Sequence, residues 1–179
     1  MKLNRIWIFC LLLAAGHLVH GQGSLTVSIG NTTTPCTPAL ARANTSPSCF
    51  VADSFSWGGS SSPTSQARVG ADITKSVTGI STTLFMDMLQ GKPIPKLVIT
   101  QYETRPDADY TQYVIETLEF DNVYVSSESS SAVVGGGLPS EEIAIVFQKV
   151  AVTYFQWYAD GAVSSTGALT YDQVAHKIL

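Results

Sequence analysis

The sequence predicts a mainly β protein, a compact antiparallel barrel or sandwich with one short α-helix on its flank. Three observations lead there. Most of the chain beyond residue 22 runs in short segments whose apolar residues recur at every second position, the period of a half-buried strand. A single stretch, Ser81 to Gly91, has the apolar spacing of an amphipathic helix. The links are rich in Gly, Pro and Ser, and strand does not alternate with helix, which disfavours a parallel sheet.

The chain has 179 residues, 45% of them hydrophobic and only 13% charged, which suits one folded domain and neither a disordered tail nor a coiled coil. Lys2 and Arg5 precede an apolar run from Ile6 to Ala15 that ends in small and polar residues. That is the layout of a signal peptide, with cleavage expected after Gly21. The run is too short to span a bilayer and no later segment is long and apolar enough. The mature chain is therefore expected to carry no membrane span and to be periplasmic or extracellular. Loss of Lys2 and Arg5 leaves 10 − 2 = 8 basic residues against 14 acidic ones, a formal charge of 8 − 14 = −6. With no basic stretch, a nucleic-acid partner is not expected.

Cys10 leaves with the leader, and the two remaining cysteines, Cys36 and Cys49, are addressed to an oxidising compartment. They are predicted to pair. The expected plan is a leader over 1–21, a strand and a Pro/Thr-rich disulfide loop over 22–49, and the β domain over 50–179. His17 and His20 also leave, so His176 is the one remaining histidine. This excludes a Ser-His-Asp arrangement not built on His176, and any metal site using two histidines of one chain.

In chain order, Ser24 to Gly30 places Leu25, Val27 and Ile29 on one face of a first strand. Asn31 to Ser48 carries three prolines and many hydroxyl residues and reads as a surface loop stapled by the disulfide. Phe50 to Trp57 resumes as strand, with Val51, Phe55 and Trp57 sharing a face. Residues 58 to 66 read as a flexible link, and Arg68 to Lys75 as a returning strand. In the helix, Ser81 or Thr82 is the N-cap, and Leu84, Phe85, Met88 and Leu89 form one core-facing stripe. Gly91 terminates it, and Pro93 and Pro95 prevent its continuation.

Lys96 to Thr104 turns through Arg105 to Asp109 into a long strand, Tyr110 to Ser127, whose change of phase at Asp121-Asn122 predicts a bulge or sharp bend. Residues 127 to 140 read as a Gly/Ser loop. Glu141 to Ala159 alternates again, with one phase shift at Gln148-Lys149. Asp160-Gly161 opens a hairpin, and Ala168 to Val174 supplies a last strand, for about seven or eight strands in all.

Carboxylates are the only catalytic stock. Glu141 and Glu142 are adjacent on a strand and point to opposite faces, so they cannot act on one substrate. Asp107 and Asp109 lie in RPDADY, where Pro and Asp belong to a turn. Both pairs read as solvated turn residues. The Gly135-Gly136-Gly137 triplet lacks the GK[ST] and the following helix that a phosphate loop needs. No catalytic, cofactor-binding or metal residue is assigned, and neither a cofactor nor an enzymatic activity is expected. Tyr154, Phe155, Trp157 and Tyr158 crowd one strand, with Tyr110 and Tyr113 earlier in the chain. Aromatics on both faces of a strand fit a two-sided barrel wall or a subunit interface.

The order of the segments then carries a resemblance. FSWG (Phe55 to Gly58) and a Gly/Ser loop precede a helix ending in Gly91-Lys92-Pro93-Ile94. YVIETLEFDNVYVSS (Tyr113 to Ser127), a second Gly/Ser loop, EEIAIVFQKVAVTY (Glu141 to Tyr154) and ADG (Ala159 to Gly161) follow. Over about Phe50 to Asp172 this resembles the Hcp family, the haemolysin-coregulated proteins that form the tube of the type VI secretion system. The resemblance implies a compact β-barrel with a flanking helix that self-associates into hexameric rings, which stack into a hollow tube. It implies a non-enzymatic protein whose partners are effector or tip proteins of the secretion apparatus. Three features depart from the family pattern: the inserted segment Asn31 to Ser48, the signal peptide, and Leu169-Thr170-Tyr171-Asp172 where a Gly-Trp-Asp ending is usual. They favour a second expectation, an exported monomeric binding module or adhesin using the Cys36–Cys49 loop.

Overall fold

The computed structural model describes residues 23–30, 36–43, 48–62, 65–104, 111–132, 134–158 and 162–179. The expected leader, Asp107, Asp109, Tyr110 and the Asp160-Gly161 turn lie outside them. The strands are β1 (Ser24–Ile29), β2 (Cys49–Ala52), β3 (Ser54–Ser62), β4 (Ser65–Ser76), β5 (Ile94–Thr104), β6 (Gln112–Ser131), β7 (Ser140–Trp157), β8 (Val163–Asp172) and β9 (Lys177–Ile178). Two helices, α1 (Pro38–Ala43) and α2 (Ser81–Gln90), join them. The strands pair antiparallel in the order β2-β1-β5-β6-β7-β4-β3, with β8 on β7 and β9 on β8. The two ends of this order approach where the Asp53 N–H donates to the Thr74 carbonyl at 2.8 Å. The sheet therefore curls around one core, in which Val27, Ile99, Leu118, Phe120 and Val123 are fully buried. The expected fold class is the observed one.

β1 departs from the half-buried expectation. Val27 faces the core, yet Ser24, Thr26 and Ser28 on the other face are buried too. The segment read as a surface loop covers them. Cys36 and Cys49 are disulfide-bonded, and the Thr26 hydroxyl donates to the Cys36 carbonyl at 2.9 Å. Within the loop, PALARA forms α1. Proline is tolerated in a first helical turn, alanines favour the helix, and the Leu40 N–H donates to the Thr37 hydroxyl as at an N-cap. The Phe50–Trp57 strand is broken at Asp53. Val51 consequently packs on the disulfide cluster, while Phe55 and Trp57 pack on the main core, so the three do not share a face.

The link expected over 58–66 continues as strand through Ser62 and again from Ser65, paired in register from Gly58↔Gly70 to Ser60↔Arg68 with a register shift between Ser60 and Ser62. Ser127 to Ser131, also read as loop, pair with Ser140 to Ala144. In both places ladder hydrogen bonds to a distant strand override a locally flexible composition. The last strand is shifted as well, spanning Val163 to Asp172 instead of Ala168 to Val174, because Gln173 turns into the sheet.

Helix α2 ends as expected at Gly91, whose left-handed backbone (φ 59°) lets its N–H close on the Met88 carbonyl. Its start differs: Ile80 is the N-cap residue and no side chain caps it. The apolar stripe is also split. Leu84 is buried and Met88 packs on the core, but Phe85 and Leu89 are exposed on the outer side.

Candidate functional site

The chemistry-bearing interior is a polar cluster built by β4, β7 and the first turn of α2. Alternation along β4 turns Ala71, Ile73 and Lys75 inward, and along β7 it turns Glu141, Ile143 and Ile145 inward. Lys75 and Glu141 are direct cross-strand partners and form a buried ion pair. The Lys75 ammonium also donates to the Ser81 hydroxyl (3.0 Å) and the Ser76 carbonyl (2.9 Å), and Ser81 donates to Glu141 at 2.8 Å. Ser81 thus spends its hydroxyl on the core, which explains why it does not cap α2. Nearby, burial and then the Glu141 charge push the Glu128 carboxyl above its ordinary range, with Lys75 pulling it down. Every ionised group here is engaged by a neighbour or held off solvent. The arrangement buries Lys75 and Glu141 almost entirely, which keeps both away from a substrate in solvent.

Glu141 is therefore not the solvated turn residue expected, whereas Glu142 is exposed on the opposite face as predicted. Strand parity carried the signal, since Glu141 is in phase with Ile143 and Ile145, and Lys75 with Ile73. Gly135 and Gly137 adopt positive φ in the β6–β7 hairpin loop, and His176 sits exposed in the turn before β9. The expected Asp107/Asp109 pair lies outside the described residues.

The second feature is the edge of β7. One edge pairs with β6, while the other pairs with β4 over Ser140–Val146 and with β8 over Lys149–Trp157. Gln173 fills the gap between the two partners. Its side-chain amide donates to the Val69 and Phe147 carbonyls, both at 2.9 Å, and its backbone N–H donates to the Gln148 carbonyl. Both anticipated phase shifts fall at this level. Asn122 takes a left-handed backbone (φ 54°), and its side chain donates to Gln148 at 3.3 Å. The β6–β7 register runs through Asn122 unchanged and shifts at Val125/Ser127 instead.

The outer surface offers unsatisfied edges and scattered apolar groups. The outer edge of β3 has no strand partner among the described residues, and β9 covers β8 only at Tyr171–Asp172. Neither edge is guarded: β3 has no charge or proline, and β8 has one charge, at its end. Among the aromatics, the Tyr113 and Trp157 rings meet with centroids 4.6 Å apart and planes tilted by 57°, the indole N–H donating to the Val114 carbonyl, while Tyr154 and Tyr158 are exposed. Among the described residues no helix is long and apolar enough to cross a membrane.

A family model described as "Type VI secretion system effector, Hcp" matches residues 49–154, more than half of the chain. The chain belongs to the Hcp family. Solved structures agree on the fold. A type six secretion system protein superposes with a TM-score of 0.67 at 18% identity, covering 88% of this chain and 100% of that one. Hcp1 of Salmonella typhimurium gives 0.65 at 18% identity, covering 88% and 99%. A type VI secretion system effector from Yersinia pestis gives 0.57 at 17%, covering 83% and 98%. No curated protein matches the sequence. Family membership makes this Hcp protein a tube and effector-carrier component of type VI secretion, structural in role. The family match begins at Cys49, so α1 and most of the disulfide loop precede it.

Proposed function

We propose that this Hcp protein acts as a ring-forming subunit, six copies to a ring, whose stacked rings carry effector proteins or bind tip proteins of the secretion apparatus. The observation that carries the reading is the pair of unlike, unguarded strand edges, β3 and β8, on a family fold. Closed rings require two different surfaces on each copy that meet head to tail, and free edges supply them. The role is non-enzymatic, consistent with a Glu141 carboxylate that is consumed in the core. Residues 1–21 act as an export signal in this reading, residues 22–49 as an appended strand and disulfide loop, and residues 50–179 as the ring-forming domain. An acidic chain without a basic stretch leaves nucleic acid out of the partner set. Light scattering after size exclusion, with negative-stain microscopy of the oxidised chain, tests this. Rings or stacked tubes are expected, and a monomer from micromolar to millimolar concentration overturns it.

One observation favours a second reading, an exported monomeric binding module. The Cys36–Cys49 segment seals the outer face of β1 and presents its own surface outside the family-matched region. Deleting residues 31–48 is then expected to abolish binding while the barrel persists; unchanged binding removes this reading.

A further inference from the structure

Where Arg42 of α1 meets the barrel lies an open cleft of about 500 Å³, a volume within the range of small-molecule sites. Leu25, Val51 and Phe55 give it apolar surface. Two opposite charges line the same cleft: Arg42 from the last turn of α1, and Asp53 from the bend between β2 and β3. They do not bridge each other. The ion pairs among the described residues are Lys75–Glu141, Lys92–Asp87, and Lys96 with Glu119 and Asp121. An anion alone meets Asp53, and a cation alone meets Arg42. A ligand that carries both charges satisfies both walls.

We propose that this cleft binds a small apolar zwitterion, a free apolar amino acid or a dipeptide. The ligand's carboxylate lies on Arg42, its ammonium on Asp53 and its side chain against Leu25, Val51 and Phe55. The site depends on the disulfide. A six-residue helix does not hold itself in water, and α1 is fastened to the barrel through Cys36–Cys49 and the Thr26 bond to the Cys36 carbonyl. Reduction unseats Arg42, so binding belongs to the oxidised protein.

Isothermal titration calorimetry of the oxidised protein, purified from an oxidising compartment, tests this. L-leucine and dileucine are the ligands, and isovalerate and isoamylamine are half-ligands with one charge each. Saturable binding of leucine assigns the site to free amino acids, and of dileucine alone to peptides. Each half-ligand is expected to bind at least about tenfold more weakly. Arg42→Ala and Asp53→Asn, both surface changes, each weaken the zwitterion by about tenfold or more with an unchanged melting transition, and reduction abolishes binding. Absence of saturable heat from both zwitterions up to ~10 mM, or equal affinity in wild type and both variants, overturns the proposal. It does not depend on ring formation, so either can fail alone.

Discussion

Lys75 and Glu141 face each other across the β4–β7 ladder and close an ion pair inside the barrel, their side chains 0% and 2% exposed. Lys75 also lies over the Phe50 ring at 5.2 Å. A buried pair adds little as a unit, but removing one partner strands the other charge. Lys75→Met is therefore expected to lower stability by about 3–5 kcal/mol, and the double change Lys75→Met/Glu141→Leu to restore most of it. Urea denaturation decides: a double variant as unstable as the single one would falsify the stranded-charge account.

Glu128 adds a pH dependence. Its Oε2 is buried without a hydrogen-bond partner among the described residues, and its carboxyl is held above the ordinary value of 4.5. As pH rises, the unfolded chain releases this proton before the folded one does, so stability falls between the ordinary and the raised value. Glu128→Gln is expected to match the parent at about pH 4 and to exceed it at about pH 7. Thermal melts at both pH values check this, and a variant weaker than the parent at neutral pH contradicts it.

Gln173, just past the end of β8, bridges β4 and β7. Gln173→Ala leaves the Val69 and Phe147 carbonyls without their donor. The expected loss is about 1–3 kcal/mol, read as a lower melting temperature. Hydrogen exchange should speed up first at the β7–β8 junction, and uniform exchange across the barrel would argue against a local role.

The disulfide spans a sequence separation of 13, a loop length for which restriction of the unfolded chain stabilises by about 3 kcal/mol. Replacing both Cys36 and Cys49 by Ala is expected to lower stability by about that amount. Exchange at the Ala41 N–H, which is bonded to the Thr37 carbonyl, then becomes fast while the core amides stay protected.

Guarding an edge should separate assembly from folding. Ala168 is exposed on β8, and Ala168→Lys is expected to change monomer stability by no more than about 0.5 kcal/mol. The same change should prevent rings, because a lysine on a strand edge opposes further pairing. Rings of normal size in this variant would move the interface elsewhere.

Much of the fold was legible in local pattern. Alternation located β1, β5, the core of β6 and β7, and the glycine after Leu89-Gln90 marked the end of α2. Paired phase shifts at Asp121-Asn122 and Gln148-Lys149 marked where the buried face of both strands changes parity, although the bulge itself lies at Val125/Ser127. The site was less legible, because Glu141 follows the Gly/Ser-rich stretch 127–140 and only its phase with Ile143 and Ile145 marks it as inward-facing. Phe85 and Leu89 look like core by spacing alone, and nothing in their own segment reveals that α2 packs on β6 through Leu84 and Met88.

By itself the sequence determined the class of fold, the period of β5 and of the central parts of β6 and β7, the helix terminus at Gly91 and the pairing of Cys36 with Cys49. These depend on steric and chemical preferences that act within a few residues, or on Cys36 and Cys49 being the two cysteines outside the apolar N-terminal run. Only the tertiary structure decided that Ser127–Ser131 is strand, that α1 seals the back of β1, that β7 divides one edge between β4 and β8, and that Lys75 meets Glu141. Each of these is a contact between distant segments, whose energy depends on which strand arrives alongside. Local periodicity holds no record of that arrival.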